Sequence, residues 1–95
     1  MKIDRNAGSL PLFEAFPDLG RLVPWLTVGH WPTTVTQAQH FAAAHDLRAL
    51  YVKREDLSHP EAGGNKIRSL EFLLADARQR GTRTILTIGS VGSHH

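Results

Sequence analysis

Val52-Lys53-Arg54-Glu55-Asp56-Leu57, followed after a short spacer by Gly63-Gly64-Asn65-Lys66-Ile67-Arg68, decides how this chain folds. An apolar β-forming run ends in four charged residues, a spacer carrying Pro60 closes on two glycines, and a lysine opens an amphipathic stretch. The spacing puts the Lys66 amine at a helix N-terminus, where unpaired N–H groups and the positive end of the dipole point outward. Nearby positive charge favours the neutral amine, the form that attacks an aldehyde to make an imine. Lys66 is thus a candidate imine-forming lysine. A Gly-Gly-Asn turn followed by an ordinary surface lysine satisfies the same local pattern.

Working outward, Asn65 is suited to cap a helix running to about Arg80, with Gly81 as its stop. Ile67, Leu70, Leu74 and Ala77 recur at spacings of three and four and define one apolar stripe, widened by Phe72 and Leu73. Asp76 and Arg80 lie one turn apart and are placed to pair. Residues 84–88 (TILTI) are a β-branched run without polar alternation, the pattern of a strand buried on both faces, and Gly89-Ser90-Val91-Gly92-Ser93 turns out of it. Residues 48–54 read as the preceding strand and residues 56–64 as loop. The sum is one βαβ unit, α/β in class, whose parallel strands require a right-handed crossover. Ligands of open α/β sheets bind at the carboxyl ends of the strands. Lys66 follows the first strand and Ser93-His94-His95 follows the second, so both groups converge on one edge.

The first 47 residues are expected to form an arm and a helix packing on the 48–95 unit. Pro11, Pro17 and Pro24 punctuate a segment holding Phe13, Phe16, Trp25 and Trp31. Residues 11–19 suit a short helix ended by Gly20, and the tryptophans read as packing anchors. Residues 36–45, rich in alanine, read as a second helix.

Composition narrows the function. At 95 residues with 41% apolar content the chain supports one small folded unit, not a disordered one. The absence of cysteine removes thiol catalysis, disulfides and cysteine-based zinc sites. A net charge of +2, with Arg78, Arg80 and Arg83 clustered at a helix end, provides no basic stripe for nucleic acid. No run has the length of a membrane span, and Met1–Asn6 lacks the apolar core of a secretory signal, so a cytoplasmic setting is expected. His30, His40, His45 and His59 are scattered without i, i+4 pairing, so no metal site is expected. The Gly-Gly-Asn-Lys stretch lacks the glycine spacing and Ser/Thr of a nucleotide P-loop, and Gly89-x-x-Gly92 lacks the leading Gly-x-Gly of a dinucleotide fingerprint.

The segments VKREDL, GGNKIRSLEFLLADA and TIGSVGSHH resemble, in order and at compatible spacing, pyridoxal-phosphate enzymes of the tryptophan-synthase-β fold type (fold type II). The nearest branch is that of 1-aminocyclopropane-1-carboxylate deaminase and D-cysteine desulfhydrase, whose pattern looks like VKRDDL, GGNKxRxLEFLLADA and TxGxxxSNH. The resemblance covers about the second half of the chain. It implies pyridoxal 5'-phosphate as cofactor and Lys66 as the lysine that carries it, with Asn65 facing the cofactor. Ser93 matches the family serine, whose hydroxyl and N–H hold a substrate carboxylate or assist proton transfer. His94 stands where the family has the asparagine that contacts the cofactor ring. A histidine donates a hydrogen bond there too, but it titrates near neutral pH, which bears on the reaction more than on cofactor binding. His95 matches the family histidine on the substrate side.

The implied activity is deamination or β-elimination of a small amino acid to an α-keto acid and ammonia, in a homodimeric full-length enzyme. The family runs several-fold longer, so the chain is expected to be its N-terminal portion, ending as the next helix begins. By itself it is expected to turn over little or nothing. The alternative is an interaction module that keeps the scaffold without catalysis.

Overall fold

The computed structural model describes residues 10–92. Two short helices open it: α1 (Pro11–Ala15) and α2 (Pro17–Leu22), each with proline in its first turn. The single helix expected over residues 11–19 is divided because Pro17 has no N–H to extend a ladder and forces Phe16 into a non-helical conformation, φ −133° and ψ 77°. Gly20 lies inside α2 instead of ending it.

After an irregular stretch come β1 (Val35–Gln37), α3 (Gln39–Ala44) and β2 (Tyr51–Lys53). The strands pair antiparallel, with Val35 opposite Lys53, Thr36 opposite Val52 and Gln37 opposite Tyr51. The helix expected over residues 36–45 therefore starts later, because β-branched Val35 and Thr36 are taken up by the ladder. Asp46, with φ 53°, ends α3 in the left-handed conformation, and the Leu47 N–H returns to the Ala42 carbonyl at 2.9 Å.

A 3-10 turn (Glu55–Leu57) follows β2, and the loop then leads into α4 (Ile67–Gln79). Gly81, at φ 69°, stops α4 as the sequence indicates: its N–H reaches Arg78 O at 3.1 Å and the Thr82 N–H reaches Ala77 O at 3.0 Å, the paired bonds of a Schellman cap. Asp76 and Arg80 pair at 2.9 Å. The start of α4 differs from expectation: Lys66, not Asn65, occupies the N-cap position, and no side chain caps the helix.

The parallel βαβ unit is not formed among the described residues. Their one sheet is the antiparallel β1–β2 pair, and residues 84–88 form no strand. Leu86 is 91% exposed and Ile88 95%. An apolar run without polar alternation is stable as a strand only when partners complete its hydrogen-bond ladder and layers cover both faces; the described residues provide neither. The same openness shows in the radius of gyration, 16.8 Å, against about 12–13 Å for a compact chain of this length.

The core is small, and part of it packs on α4. Phe13, Trp25, Leu26, Ala42, Ile67 and Ala75 are its buried apolar side chains. Phe13 meets Trp25 and Phe72 edge-on, with ring centroids 6.4 and 6.1 Å apart. The buried face of α4 is Ile67, Glu71 and Ala75, rotated from the expected stripe of Ile67, Leu70, Leu74 and Ala77. A carboxylate occupies the centre of that face.

Candidate functional site

Glu71 is 2% exposed yet fully bonded. Its Oε1 accepts the N–H groups of Val28 (2.7 Å), Gly29 (2.9 Å) and the Trp31 indole (2.7 Å), and its Oε2 accepts the Trp25 indole N–H at 2.7 Å. The arm is wrapped around one carboxylate, which is what a buried charge requires. The tryptophans are packing anchors, as their composition suggests, and hydrogen-bond donors as well. Gly29 allows the close approach: a Cβ there would lie 2.6 Å from the Trp31 ring and 2.8 Å from Ile67.

A second network joins the arm, the end of β2 and α4. Arg68 grips Glu55 through two N–H groups at 2.5 and 2.9 Å, while its guanidinium lies 4.1 Å from the centroid of the Trp31 ring. Thr33 donates its hydroxyl to Glu55 Oε1 at 2.5 Å, and Lys53 donates to the Thr33 carbonyl, also at 2.5 Å. The Arg68 hydrogen bonds, then that from Thr33, lower the Glu55 pKa to about 2. Arg54 and Asp56 form a bidentate pair at 2.9 and 2.8 Å, which lowers the Asp56 pKa and raises that of Arg54. The charged end of VKREDL is thus structural.

The depressed Glu55 pKa fixes a pH dependence. The folded-state value, about 2, lies below the ordinary 4.5, so this carboxylate contributes stability above pH 4.5 and loses it as pH falls toward 2. Glu55→Gln is expected to lower the urea midpoint at pH 7, with a deficit that shrinks as both proteins are taken to pH 3. A deficit independent of pH contradicts the assignment.

The loop between the networks and α4 is built around two glycines. A Cβ on Gly63 would lie 1.9 Å from the Asp56 carbonyl oxygen and 2.8 Å from that of His59. Gly64 has φ +148°, a conformation side chains disfavour. His59 shapes the spacer, its Nδ1 accepting the N–H groups of Glu61 and Ala62 at 3.2 and 3.1 Å. This turn is one wall of a cleft of about 700 Å³. Asn65, Lys66, Ile67 and Leu70 line it from the start of α4, and Thr87, Ile88 and Gly92 line it from the later segment.

Lys66 is therefore on the cleft, at the head of α4, as the motif implies. Asn65 is on the cleft too, though not as a cap. Ser93, His94 and His95 lie outside the described residues; Gly92, next to Ser93, lines the cleft. Among the described residues the charged groups of Lys53, Arg54, Glu55, Asp56, Arg68 and Glu71 are all engaged, whereas the Lys66 ammonium makes no hydrogen bond or ion pair. Lys66 is exposed on that concave, partly apolar wall. Sequence reasoning missed Glu71, Ser58 and the Arg68–Glu55 pair. For Glu71 a signal existed, since it stands at i+4 between Ile67 and Ala75.

Among the described residues no helix is long and apolar enough to cross a membrane, and no group of three His, Asp or Glu side chains is placed to hold a metal ion. No family model matches the chain, and no solved structure matches it. It does match curated proteins. Two archaeal proteins, each named "Putative 1-aminocyclopropane-1-carboxylate deaminase", align with most of it. That of Pyrococcus abyssi is 44% identical over 72 residues, 76% of this chain and 22% of the relative. That of Pyrococcus horikoshii is 36% identical over 85 residues, 88% of this chain and 23% of the relative. The D-cysteine desulfhydrase of Salmonella paratyphi B is 48% identical over 48 residues, half of this chain and 15% of that enzyme. The chain spans about a fifth of the length of these relatives.

Proposed function

From a chain that belongs to the family of 1-aminocyclopropane-1-carboxylate deaminases and D-cysteine desulfhydrases, we propose that Lys66 is the attachment point for pyridoxal 5'-phosphate in an enzyme that deaminates or desulfhydrates a small amino acid. The products are an α-keto acid and ammonia, with hydrogen sulfide as well where the substrate is desulfhydrated. The observation that carries this reading is the Lys66 amine, without a partner among the described residues and set on the cleft wall beside the glycine turn. An aldehyde cofactor needs such a nucleophile, held where a ring and a phosphate have room.

When bound, the cofactor supplies an electron sink for charge developing at the substrate Cα. The chain's own residues do the rest. Lys66 would hold the cofactor, and its amine is placed to move a proton at the substrate Cα. The start of α4 places positive dipole density beside that amine. Asn65 faces the cofactor. Ile67 and Leu70 give the cleft an apolar wall that limits water. Ser93 acts on the substrate carboxylate, His95 serves on the substrate side, and His94 donates to the cofactor ring in place of the family asparagine.

Titrating the chain with pyridoxal phosphate tests this reading. A saturable absorbance change is expected for the wild type and for Lys53→Ala, and Lys66→Ala is expected to weaken it by about tenfold or more. Equal responses from the two variants contradict it.

A further inference from the structure

We propose that Ser58 positions Lys66: its hydroxyl clamps Gly64 and so fixes the turn from which the Lys66 amine projects. This inference rests on the reading of Lys66 as the cofactor-holding amine. Ser58 is fully buried, 0% exposed, and a buried hydroxyl must find partners. It finds both in one residue. The Ser58 Oγ accepts the Gly64 N–H at 3.2 Å and donates to the Gly64 carbonyl at 3.3 Å. The Ser58 main chain is tied in as well: its carbonyl accepts the His30 N–H at 2.7 Å, and its N–H donates to the Glu55 carbonyl at 3.1 Å. One residue thus joins the arm, the 3-10 turn after β2 and the glycine turn.

The two glycines are held by different means. Gly63 is wedged against the Asp56 and His59 carbonyls, so packing alone fixes it. Gly64 has open space where a side chain would be, and its unusual φ has no steric wall behind it. The hydroxyl supplies the missing restraint. The path closes on α4 itself: Glu71 holds Val28 and Gly29, the adjacent His30 holds Ser58, and Ser58 holds Gly64, two residues before Lys66. Removing the hydroxyl opens this ring at its link to the glycine turn, as removing the Glu71 carboxylate would open it at the arm.

The test uses the 95-residue chain as wild type, Ser58→Ala and Ser58→Thr, with two readouts. One is amide hydrogen exchange at Gly64, referenced to the α4 interior at Ala75. The other is the ratio of Lys66 to Lys53 labelling after pyridoxal phosphate and borohydride, read within the same molecules. In Ser58→Ala, with Ala75 still protected, Gly64 exchange is expected to rise about fivefold to tenfold, the equivalent of one lost hydrogen bond, and the labelling ratio to fall by a similar factor. Ser58→Thr, which keeps a hydroxyl, is expected to restore both. Unchanged Gly64 exchange and an unchanged ratio in Ser58→Ala overturn the proposal. So does a Ser58→Thr protein that recovers Ala75 protection without the ratio, because Ser58 then supports only the fold. A wild-type chain with no preference for Lys66 refutes the cofactor reading instead. Gly64 exchange needs no cofactor and then decides whether Ser58 holds the turn.

Discussion

Glu71→Ala is expected to abolish cooperative folding of the chain. The substitution orphans four N–H donors at once, two indoles and two amides, all now satisfied by one carboxylate. Each buried donor left without a partner costs about 1–3 kcal/mol, and the methylenes of Glu71 leave a cavity besides. Even the low end of that sum, about 4 kcal/mol, approaches the whole stability of a small domain, on the order of 5–10 kcal/mol. Glu71→Gln separates the chemistry from the volume. The amide keeps one acceptor oxygen but turns an NH₂ toward N–H groups, so an intermediate loss is expected. Urea denaturation followed by tryptophan fluorescence measures both variants, with Trp25 and Trp31 reporting from the carboxylate itself. A Glu71→Ala protein with a wild-type midpoint would sink the account of the arm.

Gly63→Ala has the second largest expected effect, and for a different reason. The new methyl would sit 1.9 Å from the Asp56 carbonyl oxygen. That atom is backbone, in a segment fixed by the 3-10 turn, so no flexible side chain can move aside. A cost of about 3 kcal/mol is expected, the upper range for forced overpacking. Gly64→Ala meets open space and is strained only by its φ of +148°, so about 1–2 kcal/mol is expected. The order is the prediction: Gly63→Ala shows the lower urea midpoint and the larger loss of pyridoxal-phosphate response. The reverse order would show that backbone dihedral, not space, governs this turn.

The part of this architecture legible in the sequence is the part that local chemistry decides. Lys66 at the head of a helix, Gly81 as the helix stop and Asp76 beside Arg80 are all set by near neighbours. The glycine pair was recognisable as a turn, but the wall that makes Gly63 obligatory is the Asp56 carbonyl, and backbone packing is not written in residue type. Glu71 showed only its i+4 place between Ile67 and Ala75, and its burial has a related cause. A glutamate on a helix reads as solvent-facing until four donors from residues 25–31 are brought to it by the fold. The strand expected at residues 84–88, not formed among the described residues, depends on non-local pairing. Its composition describes a strand covered on both faces, and composition cannot supply the neighbours. Pro17 could have been read correctly, since the restriction it places on Phe16 is local. The charged residues of VKREDL were visible as a group, whereas their pairing with Arg68 and Thr33 depended on how the arm crosses α4.

Of the amines of this chain, we propose that Lys66 is the one that holds pyridoxal phosphate. The most direct measurement mixes the purified chain with the cofactor, reduces with borohydride and maps the modified peptides by mass spectrometry. Modification is expected to concentrate on Lys66, with Lys2 and Lys53 lightly labelled and no compensating site in Lys66→Ala. Modification spread evenly over Lys2, Lys53 and Lys66 would contradict it.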